Sequence, residues 1–142
     1  MSYLEAVQRQ LIFLGLDDSC PNSMLSEVAG GQSGPTPDQW KASVVSLIKV
    51  LLERKLIIAL PGDGYEALTP QEIVDLLANG NPRLQLEPDL LWNCIWFEGT
   101  SELAVLLKSH GLLDWNALDQ PVVRAVIDAT VGEIGTGGIP SL

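Results

Sequence analysis

The side chains of this chain best placed to do chemistry are carboxylates on turns. Asp17 and Asp18 stand side by side before Ser19-Cys20-Pro21. Asp63 and Glu66 bracket Tyr65 in the run Pro61-Gly62-Asp63-Gly64-Tyr65-Glu66, and Asp114 and Asp119 bracket Trp115. A carboxylate on a turn stays ionised in water and draws a cation toward it, while an aromatic beside it offers the apolar anchor that dominates protein interfaces. The candidate partner-binding residues are therefore Asp17, Asp18, Asp63, Tyr65, Glu66, Asp114, Trp115 and Asp119. Each acid also has a plainer role, as a solvated group or a helix cap.

Enzymatic chemistry is poorly supplied. A Ser or Cys nucleophile needs a general base within hydrogen-bond reach. The one histidine, His110, sits beside Gly111 at an expected helix end, where an imidazole interacts with the negative pole of the helix dipole. No Gly-x-Ser-x-Gly elbow occurs. Cys20 and Cys94 are far apart in sequence and make a poor zinc set with a single histidine. The neighbouring acids Asp17-Asp18 and Glu98/Glu102 read as solvated pairs. Gly30-Gly31-Gln32-Ser33-Gly34-Pro35 lacks the Lys-Ser/Thr of a phosphate-binding loop and follows no strand, so it reads as a linker or mobile loop. The sequence assigns no catalytic, cofactor-binding or metal-ligating residue, and the chain is expected not to be an enzyme.

Charge sharpens this. Eighteen acids against eight bases leave −10 over 142 residues. Residues 1–35 carry −3, residues 36–80 carry −2 and residues 81–142 carry −5, so no third of the chain is basic. Nucleic acid is gripped by Lys and Arg on phosphates, and this balance opposes it. A cationic protein partner fits it. The apolar share of 46% supports a buried core. No apolar run reaches the roughly 18–20 residues of a membrane span. The N-terminus shows no basic region followed by an unbroken apolar stretch. With two cysteines read as reduced thiols, the expected setting is the cytoplasm, away from membranes.

The elements that must position these residues centre on the stretch Thr36 to Gly80. Thr36-Pro37-Asp38-Gln39 reads as a capping box opening a helix to about Arg54, with Trp40, Val44, Leu47, Ile48 and Leu51 on one stripe. Leu56-Ile57-Ile58-Ala59-Leu60 reads as a buried strand. Pro61-Gly62-Asp63-Gly64 then turns the chain, and Tyr65-Glu66-Ala67-Leu68 is expected to return as its hairpin partner. Thr69-Pro70-Gln71-Glu72 caps the next helix. Upstream, Ser2-Tyr3-Leu4-Glu5 opens a helix that Gly15 is expected to end, and Asn22 to Ala29 is expected to add two helical turns. Downstream, Arg83 to Glu87 reads as a short extended piece. Leu90 to Phe97 reads as a buried helix with Trp92 and Trp96 on one side. A further helix runs from Thr100 or Ser101 to Ser109, and Asp119 caps a last one. The expected fold is mostly α: a multi-helix single domain over residues 1–131, a two-stranded β-hairpin near 56–68, and a flexible tail over 132–142.

Helix, Leu51-Leu52-Glu53-Arg54-Lys55-Leu56-Ile57, a Gly-Asp-Gly-Tyr turn and Leu68-Thr69-Pro70 together resemble the end of a winged-helix domain, over roughly 35 residues. The resemblance implies a winged-helix-like centre. It also implies a transcription regulator or an adaptor derived from one, with Lys41, Lys49, Arg54 and Lys55 on phosphates. The wing position carries Asp63 and Glu66 and no Lys or Arg, which fits a protein-interaction module instead. In size, acidity and helix content the chain is similar to bacterial immunity proteins. That similarity implies a cytoplasmic inhibitor whose acidic surface neutralises a cationic toxin, a nuclease above all.

Overall fold

The computed structural model describes residues 2–132. The tail expected over 132–142 thus falls, from residue 133 on, outside the described residues. The order is α1 (Tyr3–Leu16), β1 (Asp18–Ser19), α2 (Pro37–Glu53), β2 (Ile57–Ala59), α3 (Pro70–Asn79), α4 (Pro88–Cys94), β3 (Phe97–Gly99), α5 (Ser101–Ser109) and α6 (Arg124–Thr130). The chain is mostly α with a small antiparallel sheet, the class read from the sequence.

Local chemistry accounts for most helix starts. Ser2 and Glu5 close a reciprocal capping box on α1, and Thr69 and Glu72 do the same on α3. Thr100 caps α5. The box expected at Thr36 does not form. Its side chain makes no capping hydrogen bond, and α2 begins instead on Pro37 and the acid Asp38. The expected stripe of α2 is buried, and this helix lies at the centre of the core. Helix α1 runs past Gly15 to Leu16, with the Asp17 N–H donating to the Phe13 carbonyl at 2.7 Å. Gly15 serves packing rather than termination. A Cβ there would meet Leu107 Cδ1 at 2.6 Å and Leu113 Cδ1 at 3.0 Å, so these side chains would have to shift to admit one.

The sheet differs from the expected hairpin. β2 pairs antiparallel with β3, Ile58 opposite Glu98, and β1 pairs with the other side of β3, Asp18 opposite Glu98. The segment expected to return, Tyr65 to Leu68, is a 3-10 turn over Tyr65–Ala67. Gly64 takes φ +85°, and Ala67 and Leu68 donate back to Gly64 and Tyr65. That leaves Thr69 already capping α3, with no chain left for a strand. The apolar run from Leu90 is likewise two elements. Helix α4 ends at Cys94, and Phe97–Gly99 is the central strand. Trp92 and Trp96 therefore part company: Trp92 is buried against Trp40 and Trp96 is exposed.

Residues 20–35 hold no α-helix. A 3-10 turn at Pro21–Ser23 is followed by Leu25 at φ +49°, a conformation no helix continues through, and the tight turns over Val28–Ser33 are broken by positive φ at Ala29, Gly30 and Gly31. Met24, Leu25 and Val28 are buried, as their pattern indicated. The Gly30–Pro35 stretch is folded against α2 rather than free. Arg83 to Glu87 is not extended: a 3-10 turn at Pro82–Leu84 is closed by a bridge between Asn81 and Leu86. Asp119 caps no helix, because α6 starts at Arg124 with Val123 before it.

Candidate functional site

The sheet presents one face to the core and one to solvent. Ser19, Phe97, Ile57 and Ala59 are buried. The outward row runs across all three strands as Asp18, Glu98 and Ile58, because directly opposed residues share a face. The ladder continues one step, with the Leu60 N–H donating to the Trp96 carbonyl at 2.8 Å. Trp96, two residues before Glu98, thus stands on the same outer face.

Asp18 and Glu98 are like charges set directly opposite each other. Neither is ion-paired among the described residues, nor is Asp17. Such a pair costs stability. Asp18→Asn or Glu98→Gln should raise stability by about 0.2–1 kcal/mol in a low-salt denaturation series. The gain should shrink at about 1 M salt, where exposed charges are screened. A lowered midpoint would show that the pair is not repulsive.

The edge of α1 extends this face. Phe13 is exposed and meets Trp115 edge-on, with centroids 5.2 Å apart. Asp114 positions that tryptophan, accepting the Asn116 N–H at 2.7 Å to cap the turn Trp115–Ala117. One turn earlier on α1, Arg9 lies 3.4 Å from Asp119 and 3.9 Å from Glu27. Its buried Nε has no hydrogen-bond partner among the described residues. A hollow of about 350 Å³ is walled by Phe13 and Trp96, with Asp17, Asp18, Arg9 and Glu27 around it.

Two buried glutamines hold these parts in place. Gln10 Oε1 accepts the Leu25 N–H at 3.1 Å, while its Nε2 donates to Ser19 Oγ at 3.4 Å. This fixes β1 and the Met24–Glu27 wall to α1. Gln8 donates to the Pro121 carbonyl at 3.0 Å and accepts from the Val123 N–H at 2.7 Å, which anchors the segment before α6.

Of the eight candidates, Asp17, Asp18, Asp114, Trp115 and Asp119 gather around α1 and β1. Asp63, Tyr65 and Glu66 belong elsewhere. Asp63 and Tyr65 line a separate hollow of about 520 Å³ against α3 that also contains Arg83. There burial, then the Asp63 carboxylate and the Cys94 thiol, raise the Tyr65 hydroxyl above the usual phenol value. Sequence reasoning missed Phe13, Ile58, Trp96 and Glu98. Phe13 lies off the stripe of Leu4, Val7, Leu11 and Leu14, and that offset was its one available signal. Trp96 was hidden by reading helix where the chain makes a strand, and Glu98 was read as one of a solvated pair with Glu102.

Cys20 and Cys94 are both free thiols. Among the described residues no helix is long and apolar enough to cross a membrane. Comparison with protein-family models, with curated proteins and with solved structures finds no match for this chain.

Proposed function

We propose that this protein is a non-enzymatic binding module that masks a cationic protein partner in the cytoplasm. The partner is a toxin domain, foremost a nuclease, and the module is its immunity protein. The observation that carries this reading is the pairing state of the charges. Arg9, Lys41, Lys49 and Arg124 are already engaged by acids of the chain itself. Asp17, Asp18, Asp63, Glu66, Glu98 and Asp114 have no cation against them among the described residues. A surface left with unpaired carboxylates accelerates encounter with a basic protein and repels nucleic acid.

The reading as a winged-helix regulator needs Lys41, Lys49, Arg54 and Lys55 on phosphates. Lys41 sits 3.8 Å from Asp89 and lies over the Trp92 ring, and Lys49 is 4.0 Å from Glu53. Arg54 donates to the Thr130 carbonyl at 2.7 Å. Among the described residues only Lys55 of the four is left without such a contact, which favours a protein partner over DNA.

The test is co-expression with a secreted basic toxin domain encoded beside this gene, together with the association rate of the purified pair. Cells should survive the toxin, and the rate should fall by about tenfold or more between low and high salt. Unprotected cells, combined with salt-steep binding to duplex DNA, would overturn the proposal in favour of the regulator.

A further inference from the structure

Two surfaces compete for the partner: the outer sheet face with the α1 edge, and the hollow beside Asp63 and Tyr65. They differ in what surrounds the carboxylates. The second contains a cation, Arg83, that makes no ion pair among the described residues, and no tryptophan, whereas the cation of the first, Arg9, is ion-paired. On the first, Phe13 is 37% exposed, Trp96 40%, Ile58 44% and Trp115 47%. These are four of the seven large apolar side chains left exposed among the described residues: Ile58 belongs to the row with Asp18 and Glu98, Phe13 and Trp96 line the hollow with Asp18, and Trp115 packs on Phe13. Large apolar groups left in water around uncompensated charge mark a surface completed by another molecule.

We infer that this face is the docking surface, and that its occupant is an arginine-bearing segment of a basic protein seated between Phe13 and Trp96 on Asp17, Asp18 and Glu98. The assignment rests on the cationic-partner reading above. Charge complementarity selects the occupant. Among the described residues the only base bordering the hollow, Arg9, is already flanked by Glu27 and Asp119. Asp17 and Asp18 in the hollow, and Glu98 beyond it on the strand facing Asp18, make no ion pair among the described residues and can take an incoming cation. The aromatic walls select arginine over lysine, because a planar guanidinium stacks on a ring while its edge pairs with a carboxylate.

The probes are a nona-arginine and a nona-lysine peptide, mapped onto the full chain by amide chemical shifts and by acrylamide quenching of tryptophan. Trp40 and Trp92 are buried, so Trp96 and Trp115 should carry the quenchable emission. Nona-arginine should shift amides near residues 13–19, 96–98 and 115–119, shield the quenchable emission and bind more tightly than nona-lysine. The neutralised variant D17N/D18N/E98Q should weaken binding by about tenfold or more, and W96A should weaken it severalfold. The variant D63N/E66Q should change it by less than about twofold. All these positions are solvent-facing, and preserved amide dispersion verifies that each variant folds. Salt-sensitive binding that D63N/E66Q weakens as much as the triple variant would end the assignment of this face while leaving the cationic-partner reading standing. Absence of binding by either peptide at low salt would end both.

Discussion

Trp40→Ala should remove about 3–5 kcal/mol of stability, a large part of the roughly 5–15 kcal/mol that a domain of this kind possesses. Trp40 is 1% exposed and is the largest side chain fully enclosed in the core. Its indole N–H donates to the Met24 carbonyl at 2.9 Å, and its ring centroid lies 5.4 Å from that of Trp92. Trp92 in turn donates to the Leu77 carbonyl at 2.8 Å. The two tryptophans thus tie α2 to residues 20–28 on one side and α4 to the end of α3 on the other. Removing Trp40 opens a cavity, strips Trp92 of its neighbour and leaves the Met24 carbonyl without its donor. Trp40→Phe separates these effects. It keeps much of the volume and orphans only the carbonyl, so the cost should be about 1–3 kcal/mol. Urea denaturation of the three proteins, followed by far-ultraviolet circular dichroism, reads both. Met24 lies between Ser23 and the Ser26-Glu27 pair that line the hollow beside Phe13 and Trp96, so Trp40→Phe should also weaken the peptide binding proposed above. A loss under about 1 kcal/mol for Trp40→Ala would contradict the enclosed position of this side chain.

What could be read from sequence follows the range of the interaction. Several local signals were legible: the boxes at Ser2/Glu5 and Thr69/Glu72, the stripe of α2 and the stop near Gly111, whereas those at Thr36, Gly15 and Asp119 failed. The sheet was not, because its pairing is non-local. Pro61-Gly62-Asp63-Gly64 is a sound turn signal, yet the strand that pairs with Ile57–Ala59 arrives from Phe97–Gly99. Periodicity does not distinguish a short buried strand from a stretch of buried helix, so the run from Leu90 was read as one element. The candidate site inherited this error. Trp115 and the acids at 17, 18, 114 and 119 were found because turns expose them. Glu98 and Trp96 were lost because their outward direction exists only once the strand does. Gln8 and Gln10 gave no signal at all, since a polar side chain in a helix announces nothing about the loop it will anchor. The glycine-rich stretch failed for a related reason. Composition records that a backbone is permissive, not that one conformation of it is required.

Gly31→Ala tests that last point by the sign of its effect. In a free linker, replacing glycine by alanine restricts the unfolded chain and stabilises by about 0.4–1 kcal/mol. Here Gly31 takes φ +68° and ψ −155°, a combination essentially closed to residues with a Cβ. A Cβ would also lie 2.9 Å from the Ser26 carbonyl oxygen, a backbone atom that cannot rotate away. Gly31→Ala should therefore destabilise by about 1–3 kcal/mol. Gly34→Ala isolates the steric part. Its φ of −81° suits any residue, but its Cβ would overlap the Ala29 carbonyl oxygen and lie 2.7 Å from Gly30 Cα. Gly30→Ala isolates the conformational part, since φ is +79° while the nearest neighbour, Pro35 Cδ, stands at an ordinary 3.4 Å. Gly31 carries both penalties and Gly34 meets the closest backbone atoms, so each should lose more than Gly30. Stabilisation by any of them in urea titrations would mean that this stretch is a tether and not part of the packed wall behind the hollow. A loss at all three would show that Ser26 and Glu27 are held from behind by backbone that only glycine can form.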